Sequence, residues 1–151
     1  MLDSNSRLPN TLPGPLPIIE ATEAEATQYP IGGRLREFNA GFVGEYQVIP
    51  LWLRAFDAAG VLRGGLNAEI SRSWLMVHVL WIEESVRGQG LGRRILRQAE
   101  ALASERGVSG VWLNTFEFQA PGFYAKEGYT QFGQIDDYAP GYFLSFWKKA
   151  F

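Results

Sequence analysis

Val86-Arg87-Gly88-Gln89-Gly90-Leu91-Gly92-Arg93-Arg94 stands between an apolar run and a long helical pattern, and it reads as a strand end, an anion-binding turn and a helix start. Glycine at alternate positions lets the backbone come close to a ligand and adopt angles that a Cβ forbids. The first turn of a helix leaves N–H groups without intrahelical partners and carries the positive end of the macrodipole, so a phosphate is stabilised there without help from side chains. Spacing excludes the two better-known glycine patterns. A dinucleotide fingerprint needs G-x-G-x-x-G after an early strand, whereas here the third glycine comes one residue sooner and late in a series of β-rich runs. A P-loop needs G-x-x-x-x-G-K-[ST], and the position five after Gly88 is Arg93. What remains is R-x-x-G-x-G, at Arg87, Gly90 and Gly92.

Immediately upstream, Trp74–Ile82 is apolar on both faces except at His78, which predicts a central, doubly covered strand. Before it, Tyr46–Asp57 and Val61–Ile70 flank Ala58-Ala59-Gly60 and predict a hairpin. Pro50 makes the first of these an edge strand or one with a bulge. Leu16–Ala21 reads as a short first strand, and Leu35 and Phe38 predict a helix over Ile31–Ala40 with Gly41 as its stop. Residues 1–15, with Pro9, Pro13 and Pro15, read as a loose arm ahead of a single domain over 16–151.

Downstream, Leu91, Ile95, Ala99, Leu102 and Ala103 recur at helical spacing, with Arg94, Arg97, Glu100, Ser104 and Glu105 opposite and Gly107 as the stop. Gly110–Phe116 is β-rich, and strand, helix, strand in that order predicts a right-handed crossover between parallel neighbours. A short helix over Gln119–Glu127 and an antiparallel pair, Tyr129–Ile135 with Tyr142–Lys148, complete the chain.

Composition narrows the function. At 151 residues with 46% hydrophobic and 14% aromatic, the chain reads as one globular domain. No apolar run reaches the roughly 18 residues of a membrane span. A net charge of -2 lacks the basic footprint of a nucleic-acid binder, although Arg87, Arg93 and Arg94 form a local positive patch suited to a small anion. The absence of cysteine excludes disulfides, thiolate metal sites and cysteine nucleophiles, and with His78 the sole histidine no metal is expected. The N-terminus lacks a basic region followed by an apolar one, so a cytoplasmic protein is expected.

A second landmark lies about thirty residues beyond the glycine turn: Phe123-Tyr124-Ala125-Lys126-Glu127-Gly128-Tyr129, a tyrosine on a short helix that ends in lysine-any-glycine-aromatic. The two motifs together resemble the GCN5-related N-acetyltransferase (GNAT) superfamily, over roughly residues 46 to 148. The run Thr115-Phe116-Glu117-Phe118-Gln119-Ala120-Pro121 is similar to a small bacterial subgroup. The resemblance implies an α/β fold: a central, mostly antiparallel sheet, helices on both faces, and the fourth and fifth strands, Trp74–Ile82 and Gly110–Phe116, as its parallel pair. It also implies acetyl-CoA as co-substrate. The pyrophosphate would lie on the N–H groups of Gly88, Gln89, Gly90, Leu91, Gly92 and Arg93 with Arg87 beside it, and the pantetheine arm along Trp81 and Ile82. Gln119 stands near where many members carry an asparagine, with Asn114 several residues early.

The implied chemistry is direct acetyl transfer to a primary amine without an acyl-enzyme. Tyr124 matches the general acid that serves the leaving thiolate; its alternative is an aromatic packed between helix and sheet. His78 is a candidate base, or a satisfied core histidine, with Glu69 and Glu83 as rivals. Arg93 and Arg94 each oppose the helix dipole by roughly 0.3–1 kcal/mol, a sign that a bound anion reverses and that Glu83 and Glu84 could instead offset. Phe38, Phe42, Tyr46, Trp52, Tyr138 and Tyr142, with Asp136 and Asp137, would suit a cationic small-molecule amine; peptide acceptors stay open. Two further readings stand beside this one: an inactive CoA-binding sensor or partner-binding module, and a homodimer formed through the apolar tail Phe143–Trp147.

Overall fold

The computed structural model describes residues 14–151, so the expected N-terminal arm lies outside the described residues except for Gly14 and Pro15. The chain divides into one unit that ends at Glu45 and a second, Tyr46–Phe151.

In the first unit Leu16–Ala21, expected as a strand, is irregular and exposed. Pro15 and Pro17 remove backbone donors from that segment, and none of the sheet's strands includes it. Two helices follow. α1 (Glu23–Gln28) starts at a capping box in which Thr22 Oγ1 accepts from the Glu25 N–H at 3.3 Å and Glu25 Oε2 accepts from the Thr22 N–H at 2.8 Å. α2 (Ile31–Val43) runs through the expected stop at Gly41 and ends at Gly44, which has φ 76°. Along it the rings of Phe38 and Phe42 pack on each other at 5.3 Å, one helical turn apart.

The second unit is built on a six-stranded sheet. β1 (Val48–Phe56), β2 (Leu62–Ser71) and β3 (Trp74–Ile82) form an antiparallel meander. The chain then makes a single 3₁₀ turn at Glu84–Val86 and enters α3 (Leu91–Glu105), which returns it to β4 (Gly110–Phe116), parallel to β3. After α4 (Pro121–Lys126), β5 (Thr130–Ala139) and β6 (Tyr142–Ala150) form an antiparallel hairpin. β6 inserts between β4 and β5, giving the order β1-β2-β3-β4-β6-β5. The sheet is therefore mixed and mostly antiparallel, with its parallel pair made by the two expected strands, and Pro50 lies on an edge strand.

Side-chain period explains the core. Leu66, Ala68 and Ile70 of β2 turn to the same side as Leu75 and Val77 of β3, and Val111 and Leu113 of β4 join them against Ile95, Leu96, Ala99 and Ala103 of α3. Each leucine, isoleucine or valine among them contributes about 1.5–3 kcal/mol on leaving water, before entropy is counted, and each alanine less. One position on α3 departs from the periodic reading. Glu100, expected on the outer face, accepts from Tyr129 Oη at 2.8 Å and pairs with Lys149 Nζ at 2.8 Å. A carboxylate satisfied in this way is tolerated where a bare one would not be.

Candidate active site

The site begins where β3 loses a neighbour. β3 pairs with β4 only from Trp74 to Val77, whereas β4 continues through Phe116 beside β6. At the parting, β3 carries one extra residue. Val77 opposes Ala68 and Val79 opposes Asn67, which leaves His78 outside the ladder. Beyond it β3 stays paired to β2, and the Glu83 N–H donates to the Arg63 carbonyl at 2.9 Å. Alternate residues of an antiparallel ladder face opposite neighbours. Glu83 and Trp81 are therefore committed to β2, while Leu80 and Ile82 turn their backbone groups into the gap. A cavity of about 970 Å³ occupies this gap, lined on one side by Val77–Ile82 and on the other by Leu113, Asn114, Phe118, Gln119, Ala120, Phe123, Tyr124 and Lys126.

The glycine turn forms the end wall. Gly88 and Gly90 have φ 76° and 82°, the left-handed region that a Cβ penalises, and a Cβ at either would meet no atom within 4 Å. Gly90 caps α3 without any side-chain hydrogen bond, and the first helical bond runs from the Arg94 N–H to the Gly90 carbonyl at 3.1 Å. The N–H groups of Leu91, Gly92 and Arg93 thus have no intrahelical partner, at the positive end of a 15-residue helix. Gly88, Gly90, Leu91, Gly92 and Arg93 line the cavity, as does Arg87; Gln89 sits in the turn without lining it. An open strand edge that ends at an uncapped helix N-terminus fits a slender ligand with hydrogen-bonding groups along its length and an anionic group at one end.

The basic side chains are arranged differently from the expectation that Glu83 and Glu84 offset them. Arg93 Nε donates to Glu127 Oε1 at 2.6 Å and Arg97 Nε to Glu127 Oε2 at 3.1 Å. Arg87 Nε donates to the Ile82 carbonyl at 3.0 Å. Arg94 makes no ion pair among the described residues. Burial alone would raise the Glu127 carboxyl, but hydrogen bonds from Arg93 and then Arg97 outweigh it and hold the group below the ordinary carboxylate range.

Of the expected acid–base residues, Tyr124 and His78 line the cavity and Glu69 and Glu83 do not. Tyr124 is 8% exposed, and its ring lies against those of Phe123 at 5.1 Å and Tyr129 at 5.7 Å. Burial pushes its phenol up to about 12, and its hydroxyl has no hydrogen-bond partner among the described residues. His78 Nε2 lies 3.3 Å from Glu69 Oε2, so the bulge brings together two of the three candidate bases. Glu83 is directed elsewhere: it accepts a hydrogen bond from the Ser85 hydroxyl and pairs with Arg63 at 3.4 Å. Its hydrogen bonds from Ser85, and then the Arg63 charge, hold it below the ordinary carboxylate range.

Gln119 lines the cavity while closing the turn after β4: its Oε1 accepts from the Phe116 N–H at 2.9 Å and from Thr115 Oγ1 at 3.1 Å. Beside it Phe118 stacks on Phe116 at 5.0 Å and meets Tyr142 edge-on at 5.0 Å, and Phe116 meets Tyr138 at 5.7 Å. Of the aromatics expected around an acceptor, Tyr138 and Tyr142 thus join a ring cluster at the cavity's edge. Among the described residues no helix is long and apolar enough to cross a membrane, and no group of three or more His, Cys, Asp or Glu is placed to hold a metal ion.

Comparison with known families decides the class, since the acetyltransferase (GNAT) domain model matches residues 42–131. The chain belongs to the GNAT family. Blasticidin-S acetyltransferase of Streptomyces morookaense is 46% identical over 83 residues, which are 54% of this chain and 61% of that protein, so the chain spans less than two thirds of this relative's length. An acetyltransferase of Agrobacterium fabrum is 29% identical over 132 residues, 87% of this chain and 96% of the relative. The crystal structure of a Bacillus cereus acetyltransferase superposes with a TM-score of 0.81 at 29% identity, covering 90% of this chain and 98% of that one. In this GNAT domain, sequence reasoning overlooked Leu80 and Glu127. Leu80 emerges only once the extra residue at His78 fixes which backbone groups face the gap. Glu127 carried a signal, because an acid at the C-terminal end of a helix opposes the dipole and asks for a cationic partner.

Proposed function

We propose that the protein moves the acetyl group of acetyl-CoA directly to a primary amine of a small-molecule acceptor, without an acyl-enzyme. The observation that carries this reading is the convergence on one cavity of an open β3 edge, an uncapped α3 N-terminus, the partnerless hydroxyl of Tyr124 and the bulged His78.

Residues Gly88–Arg93 would hold the pyrophosphate, and the backbone of Leu80 and Ile82 would pair with the pantetheine arm. Bound acetyl-CoA supplies the acyl group already activated as a thioester. The backbone beside His78 is positioned to polarise the acyl carbonyl, because N–H groups aimed at a developing oxyanion cost no reorganisation. His78, oriented by Glu69, takes a proton from the incoming amine directly or through water. Tyr124 serves the departing sulfur. With its phenol near 12 and an ordinary thiol near 8.5, Tyr124 acts as a hydrogen-bond donor that stabilises the thiolate more than as a full proton donor. The ring cluster of Phe116, Phe118, Tyr138 and Tyr142 offers faces for a cationic or planar acceptor.

The test is acetyl-CoA turnover, read by free thiol release, against blasticidin S, polyamines, aminoglycosides, amino acids, arylalkylamines and lysine peptides. Transfer to at least one small amine is expected, with Tyr124→Phe lowering kcat by about 10- to 100-fold. Tight CoA binding without transfer to any of them would favour a binding module instead.

A further inference from the structure

We propose that Glu127 is a positioning residue that ties the helix bearing Tyr124 to the phosphate turn and withholds two arginines from the cofactor. This rests on the reading of the cavity as an acetyl-CoA site.

The Glu127 side chain is 1% exposed, whereas those of Arg93 and Arg97 are 53% and 64% exposed. The carboxylate is the fixed partner, and the two guanidinium groups reach it from solvent. Its backbone is as constrained as its side chain: the Glu127 N–H donates to the carbonyls of Phe123 and Tyr124, each at 3.1 Å. The same residue therefore closes α4 behind Tyr124 and crosses to α3 at Arg93, one of the three N–H groups left open at the turn. α4 is only six residues long and too short to be stable alone, so the link from its C-terminal end to α3 adds to the packing of the Tyr124 ring in fixing that ring relative to the turn.

The electrostatic consequence runs against the simple view of a basic patch. With both arginines committed to one carboxylate, the turn binds its anion mainly through backbone N–H groups, with Arg87 and Arg94 nearby. Removing the charge of Glu127 while keeping its shape would free Arg93, which lines the cavity at the turn, and Arg97, one helical turn farther along α3. Binding would then tighten while Tyr124 lost its fixed place, whereas general damage to the fold weakens both functions together.

Glu127→Gln, compared with the native protein, tests this. CoA binding is titrated calorimetrically at low and high salt, hydrogen exchange is followed across α4, and kcat is measured with any amine that the native enzyme accepts. The variant is expected to bind CoA about two- to fivefold more tightly at low salt, the range of one or two exposed ion pairs. Its salt dependence should steepen, α4 amides should exchange faster, and kcat should fall by at least about tenfold. Unchanged or weaker CoA binding with an unchanged salt slope overturns the withholding role, and unchanged α4 exchange overturns the tie. Both of these readouts hold even if no amine is acetylated, so failure of the transferase reading is told apart from failure of this one. If Glu127→Gln does not fold, the triple replacement of Glu127, Arg93 and Arg97 by Leu restores packing without charge. It should then show ordinary α4 exchange and a salt slope near that of the native protein; a markedly shallower slope would show that the two arginines already serve the cofactor and overturns the withholding role.

Discussion

Tyr124 and Tyr129 stand five positions apart with rings in contact, yet only one of them is free to act on a ligand. The Tyr129 hydroxyl donates a hydrogen bond to Glu100, and burial, reinforced by that carboxylate's charge, raises its phenol far above the ordinary range. Tyr124 is raised by burial alone, to about 12; it lines the cavity, and its hydroxyl has no hydrogen-bond partner among the described residues. The sign of the linked stability follows. A phenol ordinarily near 10 ionises first in the unfolded chain, so Tyr124 leaves stability untouched below about pH 10 and subtracts from it as pH rises toward 12, by about 1.4 kcal/mol per pH unit. Urea denaturation of the native protein and Tyr124→Phe at pH 9 and near 11 should therefore show the variant losing less stability between the two. Parallel losses would mean that the phenol is not shielded. The motif around Tyr124 made this residue legible in the sequence. The role of Glu127, three positions later, was not, because its partners lie 34 and 30 residues away on another helix.

At the scale of elements, the turn before α3 shows what local sequence determines. Gly90 has φ 82° and ψ 3°, a conformation costing any residue with a Cβ roughly 1–2 kcal/mol, and an added methyl would touch nothing. Gly90→Ala thus isolates strain from clash. The expected result is a folded protein whose Tm falls by a few degrees and whose CoA dissociation constant rises about tenfold as the turn reshapes to relieve the strain. Calorimetry with CoA and a thermal melt decide it, and unchanged affinity would remove the turn from the phosphate site. Local signals also made the extents of β1 to β4 and α3 readable, through side-chain period and glycine stops, but β3, expected to be covered on both faces, is covered on one only, with His78, Val79 and Trp81 exposed. The same signals misplaced the end of α2, where Gly41 tolerates the helix and Gly44 terminates it. They also suggested a strand at Leu16–Ala21, where apolar residues find no ladder partner. The insertion of β6 between β4 and β5 is a non-local choice, which no window of sequence encodes.

For the molecule as a whole, core and cavity share a wall, since Val77, Leu113 and Tyr124 are buried and also line the cavity, while other core residues stand apart from it. Leu96 is fully buried among α3 and the sheet, and it does not line the cavity. Leu96→Ala should cost about 2–5 kcal/mol of stability, seen as a lower denaturation midpoint. CoA affinity measured well below the transition should stay unchanged, and a proportional loss of affinity would show that core and cleft are coupled. The parted strands have a different consequence, for solubility. Unpaired backbone in a sheet is a template for another chain, and the true edges here are guarded: β1 carries Pro50, and β5 is interrupted by irregularities after Gln131 and Ile135. The open stretch of β3 has no such device. It is recessed instead, walled by β4, the start of α3 and the side chains of α4, where a foreign strand cannot lie flat. The groups that await a slender ligand are thus shielded from a second strand by the walls of the cleft, whereas β1 and β5 rely on proline and irregular pairing.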